Sequence, residues 1–540
     1  MICDIQVESF LYHCADYQQT RAFFNVMPIA HSDLLFNLVK SLNKSEKRLF
    51  KLYVNRLSSN EDGLFLKLFS LMDKAQELDD DRFQIKLELK SKNQYSNLKR
   101  HLYAQIVKSL RLSNLTKNTA VNLREQMDYA SILYSKGLYE QSLLLLERIK
   151  PQCLEANYLL MYLQILELQK KIESRHITRS RKVKNRIESI VKESQDMRDA
   201  ISRTSALSDL SLNIQGLYIK HGFARNPKDE DMCKIYFDSN APVYREGEAT
   251  FYERILWHQS NVWYHYMCLN FKQSLQHARQ WISGFDDQPQ MLEYDPDLYM
   301  RGLHYGLTNS FYVGAKEQFN ILMAQYRSFR KDHSSKFSRN SSIIDFIYFN
   351  NAVLNETIIN NSYQNFAKVK GDLIEQLEEF APMLDHHRTI MFNYKMAMIH
   401  LYQGEYSEAL DLLNRIISIQ EEPLRSDILC YSRLLHLLCH FGLNNFDLLP
   451  ALLNSVRNSF INNKIYTQSL EAMFVFLRKA IKAMNFGVND EIEELQEKWH
   501  RLFQSKYEEL PLIYFDFENW LRSQSYNFSI EKTITLSTRR

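Results

Sequence analysis

The 540-residue chain is 45% hydrophobic and carries a formal net charge of +3, with a pI of about 8.2. A charge so near balance excludes a chain committed as a whole to nucleic acid, although a local patch can still bind it, and no apolar run reaches the roughly 18 residues of a membrane span. With only 13 Gly and 10 Pro, many short strands joined by turns are disfavoured and long helices are predicted.

The 7 Cys are odd in number and scattered, with no CxxC, which predicts reduced thiols and a cytoplasmic location. The best N-terminal apolar run, Phe23 to Ala30, is interrupted by Asn25 and follows polar residues, so no signal peptide is expected.

Taken in chain order, residues 1–26 show no sustained helical stripe. Met27 stands just ahead of a clean helix start, Pro28 to Asp33. The working chain is therefore expected to begin at Met27, with 1–26 a loose extension. Residues 27–112 read as a small helical unit. Leu34, Leu35, Leu38, Val39 and Leu42 make its first stripe, and Asn43 to Glu46 has capping-box spacing. Asp79-Asp80-Asp81 breaks the pattern, and a long basic helix follows from about Asn93 to Leu112 with Lys99, Arg100, Lys108 and Arg111 on it.

From 123 to 522 the chain reads as paired helices. In 123–151, Ala130, Gly137, Tyr139 and Ser142 surround a turn, and Pro151 is expected to end the second helix. Further turns are expected near Asn270, Gly314, Asn361 and Gly404, and at Asn444, where Asn can take the left-handed conformation that Gly usually supplies. At 255–281 Leu269 occupies the place of the turn Gly, and at 300–326 Phe319 replaces a small residue. Between 200 and 247 the signal fades to one helix near Leu207–Leu217 and another that starts at Asn226-Pro227. The polar tail 523–540 is expected to be loose, with an alternation from Ile530 to Leu536 that suits a strand.

The clearest pair is 390–423. Met391, Tyr394, Met398 and Leu401 form one helical stripe, and Ala409, Leu410, Leu413 and Ile417 form the next. Gly404 separates them, Ala397 and Ala409 are small where the helices must approach, and Tyr406 fills the corner. This pattern of small residue, Gly, aromatic and small residue resembles the tetratricopeptide repeat (TPR). Gly137 and Tyr139 match it in 123–151, and Gly314 marks the turn of another pair. The resemblance implies an all-α fold, a TPR-like right-handed superhelix of antiparallel helix pairs beside the small N-terminal unit. One repeat cannot bury its apolar face alone, so neighbours are required. The expected turns recur at a wider interval than the roughly 34 residues of an ordinary repeat.

No phosphate-binding loop, dinucleotide fingerprint, metalloprotease or nucleophile-elbow motif is present, so neither catalysis nor a cofactor is expected. Cys430, His436, Cys439 and His440 lie close in sequence, but their apolar helix points to core packing and no metal site is expected. Asp385-His386-His387-Arg388 is a poor ligand set because adjacent side chains diverge, and Asp372, Glu375, Glu378 and Glu379 read as a solvated face.

The densest basic cluster comprises Arg175, Arg179, Arg181, Lys182, Lys184 and Arg186, a candidate site for an anionic ligand, with a solvated turn as the plain alternative. The family resemblance implies a scaffold that binds a protein or peptide in its concave groove, with Asn393, Lys395 and His400 as contact candidates. The alternative is a nucleic-acid-binding regulator, in which Lys99, Arg100, Lys108 and Arg111 make the contact and the repeats act as sensor. A third reading is self-association through exposed aromatics.

Overall fold

The computed structural model describes residues 31–57, 62–176, 183–380, 383–419, 426–483, 489–526 and 529–537. All regular secondary structure among them is helical. The expectations for 1–26 and for a start at Met27 lie outside the described residues. Among the described residues no helix is long and apolar enough to cross a membrane. The chain forms two compact units, one of residues 1–150 and 174–178, the other of 151–173 and 179–540. The division falls at Pro151.

The first unit begins with α1 (His31–Ser41), α2 (Lys44–Leu57), α3 (Asp62–Lys74), α4 (Asp80–Lys86) and α5 (Lys92–Asn114). Val39, Phe50, Leu68, Phe69, Met72 and Leu102 are fully buried between them. The capping box is made in both directions. The Glu46 amide donates to Asn43 Oδ1 and the Asn43 amide to Glu46 Oε2, each at 2.9 Å. The three aspartates do not merely break the pattern. Asp79 caps α4, accepting from the Arg82 amide at 2.9 Å, and Asp80 and Asp81 occupy its first turn, where carboxylates suit the helix dipole.

Next come α6 (Thr119–Ser135) and α7 (Tyr139–Glu155). Ser142 Oγ donates to the Ala130 carbonyl at 2.8 Å, which requires the close helix approach that small residues permit. Pro151 does not end α7 as expected but lies inside it. Its ring is exposed, and the burial of Cys153 and Ala156 holds the final turn in place.

The second unit contains α8 (Leu159–His176, whose last residues belong to the first unit), α9 (Arg186–His221), α10 (Pro227–Asn240), α11 (Phe251–Met267), α12 (Phe271–Asp287) and the single turn α13 (Met291–Tyr294). It continues through α14 (Pro296–Val313), α15 (Lys316–His333), α16 (Arg339–Ile359), α17 (Phe366–Phe380), α18 (His386–Gln403), α19 (Tyr406–Ile417), α20 (Ser426–Gly442), α21 (Leu449–Asn462) and α22 (Gln468–Lys482). The last helices are α23 (Asn489–Leu502), α24 (Phe517–Tyr526) and α25 (Ile530–Ser537). From α11 onward the helices form two layers. The first members of the pairs, α11, α14, α16, α18 and α20, pack on one another, and each second member, α12, α15, α17, α19 and α21, packs on its own first helix. One continuous apolar core runs from Leu210 to Ile530.

Each of these pairs turns through one residue in the left-handed region: Leu269 (φ 60), Gly314 (φ 71), Asn361 (φ 52), Gly404 (φ 80) and Asn444 (φ 59). The hydrogen bonding repeats as well. The amides of Asn270, Ala315, Ser362, Glu405 and Asn445 each donate to the carbonyl five residues back, at 2.8–3.0 Å, completing a Schellman cap. Gly137 in the first unit, at φ 78, makes the same cap. Leu269 therefore does not remove the expected turn. A side chain in this conformation costs about 1–3 kcal/mol, and burying it recovers about 1.5–3 kcal/mol. Leu269 is only 8% exposed. Phe319, at the place held by Ser142, Ser274 and Ala409 in three other pairs, is fully buried.

The segment 523–537 is not the expected loose tail or strand. Its described residues belong to α24 and α25, which pack together, and α25 also packs on α18. Ile530, Thr533 and Ile534 fall on one helical face, with Ile530 and Thr533 buried. Just before these helices, Lys506 Nζ donates to Glu230 Oε1 (2.7 Å), the Cys268 carbonyl (2.9 Å) and Asn270 Oδ1 (2.9 Å). Tyr507 Oη donates to Glu230 Oε2 at 2.6 Å. Burial opposes the charge of Glu230, but the bonds from Lys506, Tyr507 and Asn270 outweigh it and hold the carboxyl below its ordinary value. Farther on, the Tyr514 carbonyl accepts from Tyr394 Oη at 3.0 Å and its ring stacks on Tyr431 at 3.9 Å. The segment thus spans from the α11–α12 turn to α18 and α20.

Three glycines test these constraints. Gly314→Ala places a Cβ at positive φ in open space and is expected to destabilise the second unit by about 1 kcal/mol. Gly216→Ala, at an exposed position five residues before the end of α9, is expected to stabilise it by up to about 1 kcal/mol. A Cβ on Gly442 would stand 2.5 Å from the Tyr406 ring, so Gly442→Ala is expected to cost about 1–3 kcal/mol. Urea unfolding of the three variants checks the signs, and a destabilised Gly216→Ala or a stabilised Gly314→Ala would contradict this account.

Candidate ligand-binding groove

The first helices of the pairs expose their inner faces to a groove of about 570 Å³ in the second unit. On α14 the residues that face it include Arg301, His304, Thr308 and Phe311, spaced by a helical turn. Tyr348, Asn351, Asn355 and Ile358 repeat this row on α16, and Met391, Tyr394, Lys395 and Met398 repeat it on α18. Trp263 and Tyr266 of α11 and Tyr218 of α9 extend the wall, and Ile513 and Tyr514 contribute the C-terminal segment.

The wall is aromatic, and Arg301, Arg388 and Lys395 stand on it among the neutral Gln215, Thr308, Asn351 and Asn355. Trp263 contacts Tyr218 and Tyr305, with ring centroids 5.4 and 5.3 Å apart. His304 stacks on Tyr348 at 4.3 Å, and the Arg388 guanidinium lies 5.9 Å from the centre of the same ring. Lys395 Nζ donates to Asn355 Oδ1 at 2.5 Å and stands 5.9 Å from the Phe311 ring. Arg301 Nη2 donates to Gln215 Oε1 at 3.3 Å, and its buried Nε has no hydrogen-bond partner among the described residues. Thr308 Oγ1 is likewise buried without a partner.

Asp385 is the one acidic residue that lines the groove among the described residues. It is engaged as the cap of α18, with Oδ1 accepting from the Arg388 amide at 2.8 Å and Oδ2 3.8 Å from Arg388 Nε. Burial pushes the Lys395 ammonium down to about 7. Burial first, then the charges of Arg388, Lys395 and Arg301, hold the His304 imidazole well below its ordinary value. Such a concentration of like charge in an aromatic pocket stabilises bound negative charge and destabilises the empty fold.

Of the three contact candidates from the sequence, Lys395 lies in this groove and Asn393 does not line it. His400 turns elsewhere, with Nδ1 2.6 Å from Glu405 Oε2 and Nε2 3.0 Å from Lys370 Nζ, because two residues past Met398 the helix presents another face. Arg301, His304 and Tyr348 were not singled out by the sequence, and Arg388 was set aside with its neighbours. Counting back from the left-handed residues would have found the rows. Thr308, Asn355 and Met398 stand at one place relative to Gly314, Asn361 and Gly404, and His304, Asn351 and Tyr394 stand at another.

Arg175 Nη1 reaches Tyr134 Oη at 3.3 Å in the first unit, Lys184 is exposed, and Arg186 Nε lies 4.0 Å from Glu173 in the second. Arg179, Arg181 and Lys182 lie outside the described residues. On α5, Lys99 is paired with Asp80 at 2.7 Å and Arg111 with Asp128 at 3.5 Å, leaving Arg100 and Lys108 exposed without an ion pair. Cys430 Sγ lies 3.6 Å from the Ser459 carbonyl and 3.1 Å from its hydroxyl, Cys439 is fully buried, and His440 Nδ1 meets Asn445 Nδ2 at 3.0 Å. Among the described residues no group of three His, Cys, Asp or Glu could hold a metal ion.

The Lys395 amine titrates near 10.4 in an unfolded chain and near 7 in this fold. Between these values the unfolded state binds more protons, so this residue makes stability rise with pH. Lys395→Met is expected to raise the unfolding midpoint at pH 7 by about 2–4 °C and to flatten the rise between about pH 7 and 10. Thermal unfolding across that range checks it, and a wild-type slope in the variant would contradict the assignment. No protein-family model, no curated protein and no solved structure matches this chain.

Proposed function

We propose that the chain is a scaffold that binds a protein or peptide through the groove of a TPR-like right-handed superhelix, acting by recognition and not by catalysis. The observation that carries this reading is the alignment of three inner helix faces, on α14, α16 and α18, into one continuous groove. Its volume lies within the range of about 300–1,000 Å³ of ligand sites, which suits a few residues of a partner chain. The caps that recur from Leu269 to Asn444 support the repeat architecture, since they return the chain to the same two-layer arrangement each time. The nucleic-acid alternative has less support, because two of the four cations proposed for it on α5 already face carboxylates.

The test is a comparison of the full-length protein with Asn351→Trp as bait in lysate of its own cell, with nuclease present. The Asn351 side chain lines the groove and makes no hydrogen bond among the described residues, so a Trp there fills the groove without breaking an existing side-chain hydrogen bond. A protein recovered by the wild type and reduced at least tenfold by the variant supports the reading. Equal recovery by both, or no recovered protein, overturns it.

A further inference from the structure

We propose that the groove recognises an acidic peptide segment, with carboxylates held by Arg301, Lys395 and Arg388 and apolar side chains laid on the Tyr348–Phe311–Trp263 wall. This rests on the peptide-binding reading above and adds the chemistry of the partner.

Charge complementarity is the first support. Three cationic side chains from α14 and α18 face one groove whose single acidic lining residue is already bonded as a helix cap. Lys395 and Arg301 have no carboxylate partner among the described residues. A half-buried cation beside aromatic rings is costly unless paired, and a ligand carboxylate supplies the missing partner through a charge-assisted hydrogen bond.

The second support is the unmet hydrogen bonding beside those cations. Arg301 Nε and Thr308 Oγ1 are buried without partners, and Asn351 is unbonded in the middle row. A side-chain amide offers both donor and acceptor, the pair of groups that an extended peptide backbone presents. Buried polar atoms in native proteins are nearly always satisfied, so Arg301 Nε and Thr308 Oγ1 point to an occupant with polar atoms, and the half-buried Asn351 amide lies open beside them. The aromatic surfaces between them suit apolar or aromatic side chains. Peptide thus fits both sets of groups, whereas a small inorganic anion would leave the aromatic wall and Asn351 unused.

The experiment is selection from a random dodecapeptide library displayed on phage, with the full-length protein immobilised and Asn351→Trp for counter-selection. The selected peptides are then labelled and titrated by fluorescence anisotropy. The proposal expects enrichment of Asp and Glu beside Phe, Leu, Tyr or Trp. It also expects at least a tenfold loss of affinity in each of Arg301→Gln and Lys395→Met, and weakening as salt rises. Thermal unfolding of both variants keeps loss of contact distinct from loss of fold, and Lys395→Met is expected to fold at least as well as the wild type. Groove-dependent peptides without acidic enrichment, or with unchanged affinity for the two variants, overturn the acidic assignment and leave peptide binding standing. Absence of any groove-dependent peptide overturns both. Labelled oligothymidine that binds more tightly than the selected peptides, with the same loss in both variants, also overturns the proposal in favour of single-stranded nucleic acid.

Discussion

The second unit depends on one backbone constraint, the left-handed residue that ends each first helix. Its cap closes the helix with the same pair of hydrogen bonds whether the residue is Gly, Asn or Leu. Side-chain identity therefore changes the cost of the turn and not its form. Gly adopts the conformation freely, Asn at small cost, and Leu269 with a strain that its burial offsets. The second helix of each pair consequently leaves in the same direction and covers the same face of the first.

Repetition of the cap sets the register of everything on the inner surface. A side chain placed a given number of residues before one left-handed turn is matched by its counterpart before the next. Thr308, Asn355 and Met398 thus occupy equivalent places although their chemistry differs. Core and groove are specified separately along one helix: the residues on one face bury the core and those on the other face line the groove. This separation lets Arg301, Arg388 and Lys395 gather where a closed core would not tolerate them. Lys395 illustrates the conflict, since burial opposes its charge.

Local signals in the sequence determined the helical class, the capping box at Asn43 and Glu46, and the turns at Gly137, Gly314, Asn361, Gly404 and Asn444. Each is a matter of short spacing: an apolar period, a cap three residues from its partner, or a residue type that tolerates positive φ. Only the tertiary structure decided that Leu269 also turns the chain, that Pro151 sits within a helix and that Ile530–Ser537 is helical, because packing overrides local preference in each case. It alone brought Arg301, Tyr348 and Lys395 to one groove and joined Lys506 to Glu230, 276 residues away. Neighbours along a helix follow from its period, whereas contacts between distant helices depend on how successive pairs stack, a geometry that no single stretch of sequence contains.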